Sequence, residues 1–402
     1  MAESIDVTRL RESTWCPVQG LTEEQACAFE ALGQELSATD SETGETTSLI
    51  QCRYTTSGVW EVRVADAIGL VGAGSQSWSV DPKIAPEHLF YLFQRANILP
   101  RTSSQTAEMA SGKSLWHLIY DWFVRSTEAL VRADLAKGYT SEVRQLPYIR
   151  GTVDTVSLSR GVLRGHTRVR CSYEEFSPDI PINRVLKSAL LFGLGSGTLS
   201  FDAAMRSRRL LARFSDVGTA SSSDLRVGID RHTARYRDPL LLALHILRGL
   251  LRELSVGTMR AWCFLWRTPD AAEAGIREVL REGVSDITNV GKESKYYAPL
   301  SFTPDLTFGN IAIGDIKYSL DGGSWRRADV YQLLAFAVTH QCSRALLVNF
   351  YANTPPGVSV QVAGTGLERL CWRVDRPPNQ AAELLVEHVK TWLASAPPSA
   401  EG

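Results

Sequence analysis

The stretch that most constrains the fold is Pro304-Asp305 followed by Ile311-Ala-Ile-Gly-Asp-Ile-Lys-Tyr318, because it places two carboxylates and a lysine on otherwise apolar segments. Side chains on a strand alternate faces, so Asp315 and Lys317 project from the same side, with Ile313 nearer the turn. Ala312, Ile316, Phe302 and Phe308 supply what a buried sheet needs, and Gly309-Asn310 is a polar turn. The expectation is a hairpin across that turn, with Asp305 opposite the Asp315 region.

Two carboxylates held together raise each other's pKa, and an oxygen-seeking cation such as Mg²⁺ removes the repulsion. Such an ion would polarise a phosphodiester oxygen and lower the pKa of a water. Lys317 would position that water or offset charge developing on phosphate. The chemistry this pattern suits is phosphodiester hydrolysis. Asp-x-Lys on a strand also arises as a solvated edge or a surface ion pair, so the surroundings must decide.

The chain has 402 residues, 44% hydrophobic and 22% charged, with a net charge of -1. It is long enough for two or three cored domains and is not disordered in character. No apolar run reaches membrane-spanning length and no basic-then-apolar leader follows Met1, which argues for a cytoplasmic protein with no membrane partner. The seven cysteines are scattered without a CxxC pair, which argues for reduced thiols and against zinc or disulfides. The near-neutral balance does not announce a nucleic-acid binder, although a basic face can be offset elsewhere.

Along the chain the pattern predicts a mixed α/β protein in three regions. Residues 1–105 read as strand-rich, with a helix opening at Leu21-Thr-Glu-Glu-Gln25 and alternating segments over 58–64 and 77–80. Ile68-Gly-Leu-Val-Gly-Ala-Gly74 lacks the Lys-Ser/Thr of a phosphate loop and reads as a sharp bend. An amphipathic helix follows over 86–94. Residues 106–255 read as helical. The region holds a buried helix face over 106–137, short strands after Leu146, and a helix after Pro181. Arg206, Arg209 and Arg213 fall at helical spacing, either as phosphate contacts or as a solvated basic face. Asp238-Pro239 reads as the N-cap of a leucine-rich helix running to Leu254. Residues 256–395 read as an α/β core: a helix over 270–282 with Glu273 near its start, the two central strands, a helix over 328–341, strands over 344–351, 358–362 and 370–374, and a closing helix over 380–393. Residues 397–402 read as a frayed tail.

An acid in the first helix, an Asp at Pro-Asp, Asp-x-Lys on the next strand and a Gln in the following helix together resemble the PD-(D/E)xK nuclease core. Over most of its length the chain is similar to the McrC family, the nuclease subunits of McrBC 5-methylcytosine-dependent restriction systems. The matching segments include Asp81-Pro-Lys-Ile84, Tyr148-Ile-Arg-Gly151, Tyr173 to Leu186, Arg237-Asp-Pro-Leu240, Phe264 to Glu273, Pro304-Asp305, Asp315-Ile-Lys-Tyr318 and Asp329 to Ala335. The resemblance implies that Asp305 and Asp315 bind Mg²⁺, that Lys317 is the catalytic lysine, and that Tyr331-Gln332 is the helix motif beside the site. Glu273 takes the place of the helix acid. Its surroundings lack the family's usual phenylalanine, and Glu278 or Glu282 could substitute if the helix is shifted.

The resemblance further implies an McrB-like AAA+ GTPase hexamer as partner and methylated double-stranded DNA as substrate. The N-terminal region would enter the partner ring and the C-terminal nuclease would cut. Lys83, Arg63 and Arg95 are candidates for the partner contact and equally for ordinary structural roles. The alternative is a catalytically silent adaptor of an AAA+ motor. Intact Asp305, Asp315 and Lys317 argue against it.

Overall fold

The structure is a computed structural model that describes residues 8–39, 46–74, 76–99, 115–155, 158, 168–248, 250–256, 259–320, 325–351 and 359–395. The chain forms two compact units, one of residues 1–116 and 250–402 and the other of residues 117–249. The protein is mixed α/β, with several sheets and packed helices.

In the first unit a five-stranded sheet has the order Thr8–Arg11, Gln76–Asp81, Ala67–Ala73, Met259–Arg267, Leu250–Val256. Residues from both sides of the sequence's middle region therefore share one sheet. The helix Glu23–Glu35 covers it. Its start is specified by a capping box, in which Gln25 N–H donates to Thr22 Oγ1 at 3.2 Å and Thr22 N–H to Gln25 Oε1 at 2.9 Å. Phe29, Leu32, Val62, Val71, Trp78, Cys263 and Leu265 lie in the same core.

The sharp bend expected over Ile68–Gly74 is instead a strand buried along its whole length, Ala67–Ala73. Its glycines serve close approach to the neighbouring strand. A Cβ on Gly69, whose φ is +139°, would sit 2.0 Å from the Phe264 carbonyl oxygen, and one on Gly72 would meet the Trp262 ring. Turn chemistry is confined to Gly74, at φ +61°.

A second, six-stranded sheet in this unit has the order Val290–Gly291, Leu306–Phe308, Ala312–Lys317, Arg344–Tyr351, Thr365–Arg373, Val360–Val362. The expected hairpin is present: Leu306 pairs with Gly314 and Phe308 with Ala312, antiparallel. Ala312–Lys317 then runs parallel to Arg344–Tyr351, and the connection carries the helix Arg327–His340. A parallel pair requires such a crossover. Leu333, Phe336 and Ala337 of that helix pack on Ile313 and Leu347.

The helix Thr268–Gly283 begins with Pro269 in its first turn and packs on the helix Pro86–Arg95. Gly275 permits that contact, since a Cβ there would lie 2.5 Å from the Leu92 carbonyl oxygen. The closing helix is Pro378–Ala394.

The second unit holds the helices Pro181–Gly195, Phe201–Arg213 and Arg237–Arg248, together with a three-stranded sheet of Thr152–Val153, Val169–Ser177 and Gly138–Leu146. Two boundaries differ from expectation. The leucine-rich helix starts at Arg237 behind a short 3₁₀ turn, so Asp238 lies inside its first turn and is not the N-cap. The helix also stops at Arg248, and Leu250–Val256 joins the five-stranded sheet. Pairing with Met259–Arg267 overrides the helical propensity of those leucines. Arg206 is held by Glu128 at 2.6 Å and by Asp202 at 3.8 Å, and Arg213 lies 3.5 Å from Asp134. The basic face is thus internally paired at both positions.

The helix predicted from residue 106 is seen as Leu115–Val131; residues 106–114, Val358 and the 397–402 tail lie outside the described residues. No helix among the described residues is long and apolar enough to cross a membrane.

Candidate active site

Positions in or beside three strands and one helix bring three carboxylates and two lysines together. Asp305 precedes the strand Leu306–Phe308, and Asp315 and Lys317 close the strand Ala312–Lys317. Glu273 comes from the first half of the helix Thr268–Gly283. Both aspartates are buried, Asp315 at 3% exposure and Asp305 at 8%.

Lys317 Nζ lies 2.9 Å from Asp315 Oδ2, as their shared strand face requires. Asp305 Oδ2 accepts from the Ile316 backbone N–H at 3.1 Å, and Asp305 Oδ1 accepts from Lys292 Nζ at 2.9 Å. Lys292 Nζ also stands 3.9 Å from Glu273 Oε2. Asp315 and Glu273 both lie close enough to Asp305 for its charge to act on them. Arg277, one turn beyond Glu273 on the helix, donates from Nε to the Asp305 carbonyl oxygen at 2.6 Å and fixes the backbone there.

The acids titrate apart. Burial raises Asp305, but the Lys292 ammonium, its hydrogen bond and the Ile316 N–H outweigh it, and the carboxyl is held below the usual range. Burial, reinforced by the charge of Asp305, pushes Asp315 up to about 7 against the pull of Lys317. Burial and Asp305 push Glu273 up to about 8. Asp305 is therefore the firm carboxylate of the cluster, while Asp315 and Glu273 hold their protons to higher pH than free acids do. This is how like charges crowded in a buried site avoid repulsion when no cation is bound.

Glu278 pairs with Arg281, and Glu282 with Arg95 at 2.5 Å, so Glu273 is the helix acid that meets Asp305. Gln332 is half-buried on the helix Arg327–His340, next to Leu333, which packs on Ile313. Tyr331 is exposed. Lys292 was not singled out from sequence. It follows the two-residue edge strand Val290–Gly291, too short to carry a periodic pattern. Arg277 had a legible signal, since i,i+4 spacing places it on the helix face of Glu273.

Among the described residues, no set of three or more His, Cys, Asp and Glu side chains forms a complete metal cage. The pair Asp305 and Asp315 nonetheless has the donor chemistry of a Mg²⁺ site. Mg²⁺ is usually held by one or two carboxylates and completed by water and substrate phosphate. The lysines on both acids register the same demand for positive charge.

A family model described as McrBC 5-methylcytosine restriction system component matches residues 62–350. The chain belongs to this family. The match spans four of the five strands of the N-terminal sheet, the second unit and the carboxylate cluster. Among solved structures, the chain is similar to one in a refined half-complex from a tetradecameric assembly of Thermococcus gammatolerans McrB AAA+ hexamers with bound McrC. The TM-score there is 0.68 at 14% identity, covering 96% of this chain and 100% of that one. A chain in the Thermococcus gammatolerans McrBC complex matches with a TM-score of 0.47 at 15% identity, covering 69% and 88%. No curated protein matches the chain.

Proposed function

We propose that this chain is the nuclease subunit of an McrBC-like, modification-dependent restriction system, a Mg²⁺-dependent endodeoxyribonuclease with a PD-(D/E)xK core. The observation that carries this reading is the buried pair Asp305 and Asp315 with Lys317 Nζ 2.9 Å from Asp315 Oδ2. Family membership over residues 62–350 supports it.

Asp305 and Asp315 would hold Mg²⁺, which supplies Lewis acidity toward a phosphodiester oxygen and toward water. The chain's own groups do the rest. The Ile316 N–H fixes the plane of the Asp305 carboxylate, and Arg277 fixes its backbone. Lys317 orients the attacking water or meets charge developing on the phosphate, and Lys292 adds a second cation at Asp305 Oδ1. Glu273 stands beside Asp305 as the helix acid, and Gln332 is assigned to the site by the family resemblance alone.

The partner in this reading is an McrB-like AAA+ GTPase hexamer, which engages methylated double-stranded DNA and is stimulated by this subunit. The solved assembly of McrB hexamers with bound McrC supports it at the level of fold. The near-neutral charge of the chain fits a division of labour in which the motor supplies DNA affinity.

The deciding experiment reconstitutes the chain with its AAA+ partner, GTP, Mg²⁺ and methylated DNA and measures double-strand breaks. Asp315→Asn and Lys317→Ala are expected to abolish cleavage while partner assembly and stimulated GTP hydrolysis persist. Undiminished cutting by either variant rejects the site. A wild-type chain that stimulates hydrolysis and never cuts is instead a silent adaptor.

A further inference from the structure

Glu12 is fully buried, at 0% exposure, and lies outside the carboxylate cluster. Burying a carboxylate is costly unless its oxygens are hydrogen-bonded, whereas burying an apolar residue of the same size is favourable. Here they are satisfied by three segments. Oε2 accepts from the Lys83 backbone N–H and from the Tyr318 hydroxyl, each at 3.1 Å, and Oε1 accepts from the Thr268 hydroxyl.

The surrounding groups close the cluster. Lys83, from the Asp81-Pro-Lys-Ile84 motif, points its ammonium inward, 2.9 Å from Asp66 Oδ1 and 4.2 Å from the centre of the Tyr318 ring. Its side chain is only 14% exposed, so Lys83 is a structural cation and not an outward-facing one. The Thr268 N–H donates to the Asp66 carbonyl oxygen at 3.2 Å. Ser13 Oγ donates to Asp66 Oδ1 at 3.0 Å.

Two of the groups that Glu12 holds are attached to the candidate active site. Tyr318 is covalently next to Lys317, at the end of the strand that carries Asp315. Thr268 is the first residue of the helix that carries Glu273. Glu12 itself follows the strand Thr8–Arg11, so the N-terminal sheet grips both elements through one carboxylate.

We propose that Glu12 is a positioning residue for DNA cleavage: through Tyr318 and Thr268 it sets the strand end bearing Lys317 and the helix start bearing Glu273. This rests on the nuclease reading above. A lysine displaced by an ångström no longer meets the reacting phosphate, whereas fold and partner binding tolerate the shift.

The test uses the full chain with its McrB-like AAA+ partner, GTP, Mg²⁺ and 5-methylcytosine plasmid, comparing Thr268→Val, Thr268→Ser, Tyr318→Phe and Asp315→Asn. Tyr318→Phe and Thr268→Val are expected to lower kcat for cleavage by about 10- to 100-fold, the range found for residues that orient metal-site groups. KM for DNA and stimulated GTP hydrolysis stay within about twofold of wild type, and Thr268→Ser, which keeps the donor, restores kcat. Full kcat in both Tyr318→Phe and Thr268→Val overturns the proposal, as does a loss in Thr268→Ser equal to that in Thr268→Val. A parallel fall of cleavage and GTP hydrolysis also overturns it, since that marks a general structural defect. Asp315→Asn separates the two ideas: if it cuts like wild type, the nuclease reading has failed at its own site, whatever the other variants do.

Discussion

The backbone N–H of Ile316 donates to Asp305 Oδ2 at 3.1 Å, so the strand that carries Asp315 and Lys317 itself orients the acid on the neighbouring strand. The site's geometry is therefore written into sheet register. The other oxygen of Asp305 belongs to Lys292.

That division of the Asp305 carboxylate makes Lys292 testable. Lys292→Gln removes the cation nearest to both Asp305 and Glu273 while keeping a polar side chain. Cleavage is expected to fall roughly 10²-fold, the loss seen when one preorganised charge-stabilising donor is removed from a site. An unchanged rate of plasmid linearisation would remove Lys292 from the catalytic cluster.

How much of this was legible beforehand depends on the element. The hairpin carrying Asp305, Asp315 and Lys317 could be read because alternation and a Gly-Asn turn both specify it, and register then fixes which side chains meet. The strands at Ala67–Ala73 and Leu250–Val256 could not. Glycines needed for close strand approach look locally like turn residues, and a leucine-rich segment next to a helix looks like more helix. Lys292 and the Glu12 cluster were hidden for another reason. Their meaning lies in contacts across 13 and as many as 306 residues of sequence, which no local pattern encodes.

Arg344 anchors the end of the closing helix. It is buried, stacks 4.7 Å over the Trp392 ring centre, and donates to the carbonyl oxygens of Trp392, Leu393 and Ser395 and to Ser395 Oγ. A guanidinium can serve that many acceptors because its donors are fixed in a fork. Arg344→Lys keeps the charge and loses the fork, and a loss of about 2–4 kcal/mol in unfolding free energy is expected from the unmade bonds to helix-end carbonyls. Urea denaturation of the two proteins measures it. A change below about 0.5 kcal/mol would mean that a lysine satisfies the same carbonyls.

Gly275→Ala probes the contact between the helices Pro86–Arg95 and Thr268–Gly283. Alanine is the better helix former, yet the added Cβ would lie 2.5 Å from the Leu92 carbonyl oxygen and 2.7 Å from its Cβ. The clash should win over the propensity gain, with a net destabilisation of about 1–3 kcal/mol. Because Glu273 is on the same helix, cleavage should fall as well. A thermal melt showing a stabilised variant would mean that the helices separate at little cost.

The last prediction concerns pH. His88 is buried, and its Nδ1 accepts the indole N–H of Trp372 at 3.0 Å. That arrangement needs the neutral ring. Burial lowers its pKa, against smaller opposing pulls from Glu87 and Asp375. A histidine whose folded pKa lies below its unfolded value of about 6.5 contributes stability above that value and loses the contribution as pH falls toward the folded pKa. His88→Gln offers an amide oxygen to the same indole and cannot titrate. The stability difference between wild type and His88→Gln should therefore be largest in favour of wild type near pH 8 and shrink as pH falls toward 5, as read from melting temperatures in matched buffers. Taking the difference cancels every other titrating group common to the two proteins. A difference that stays constant across this range would show that His88 does not change its protonation on unfolding, and that its bond to Trp372 acts through packing alone.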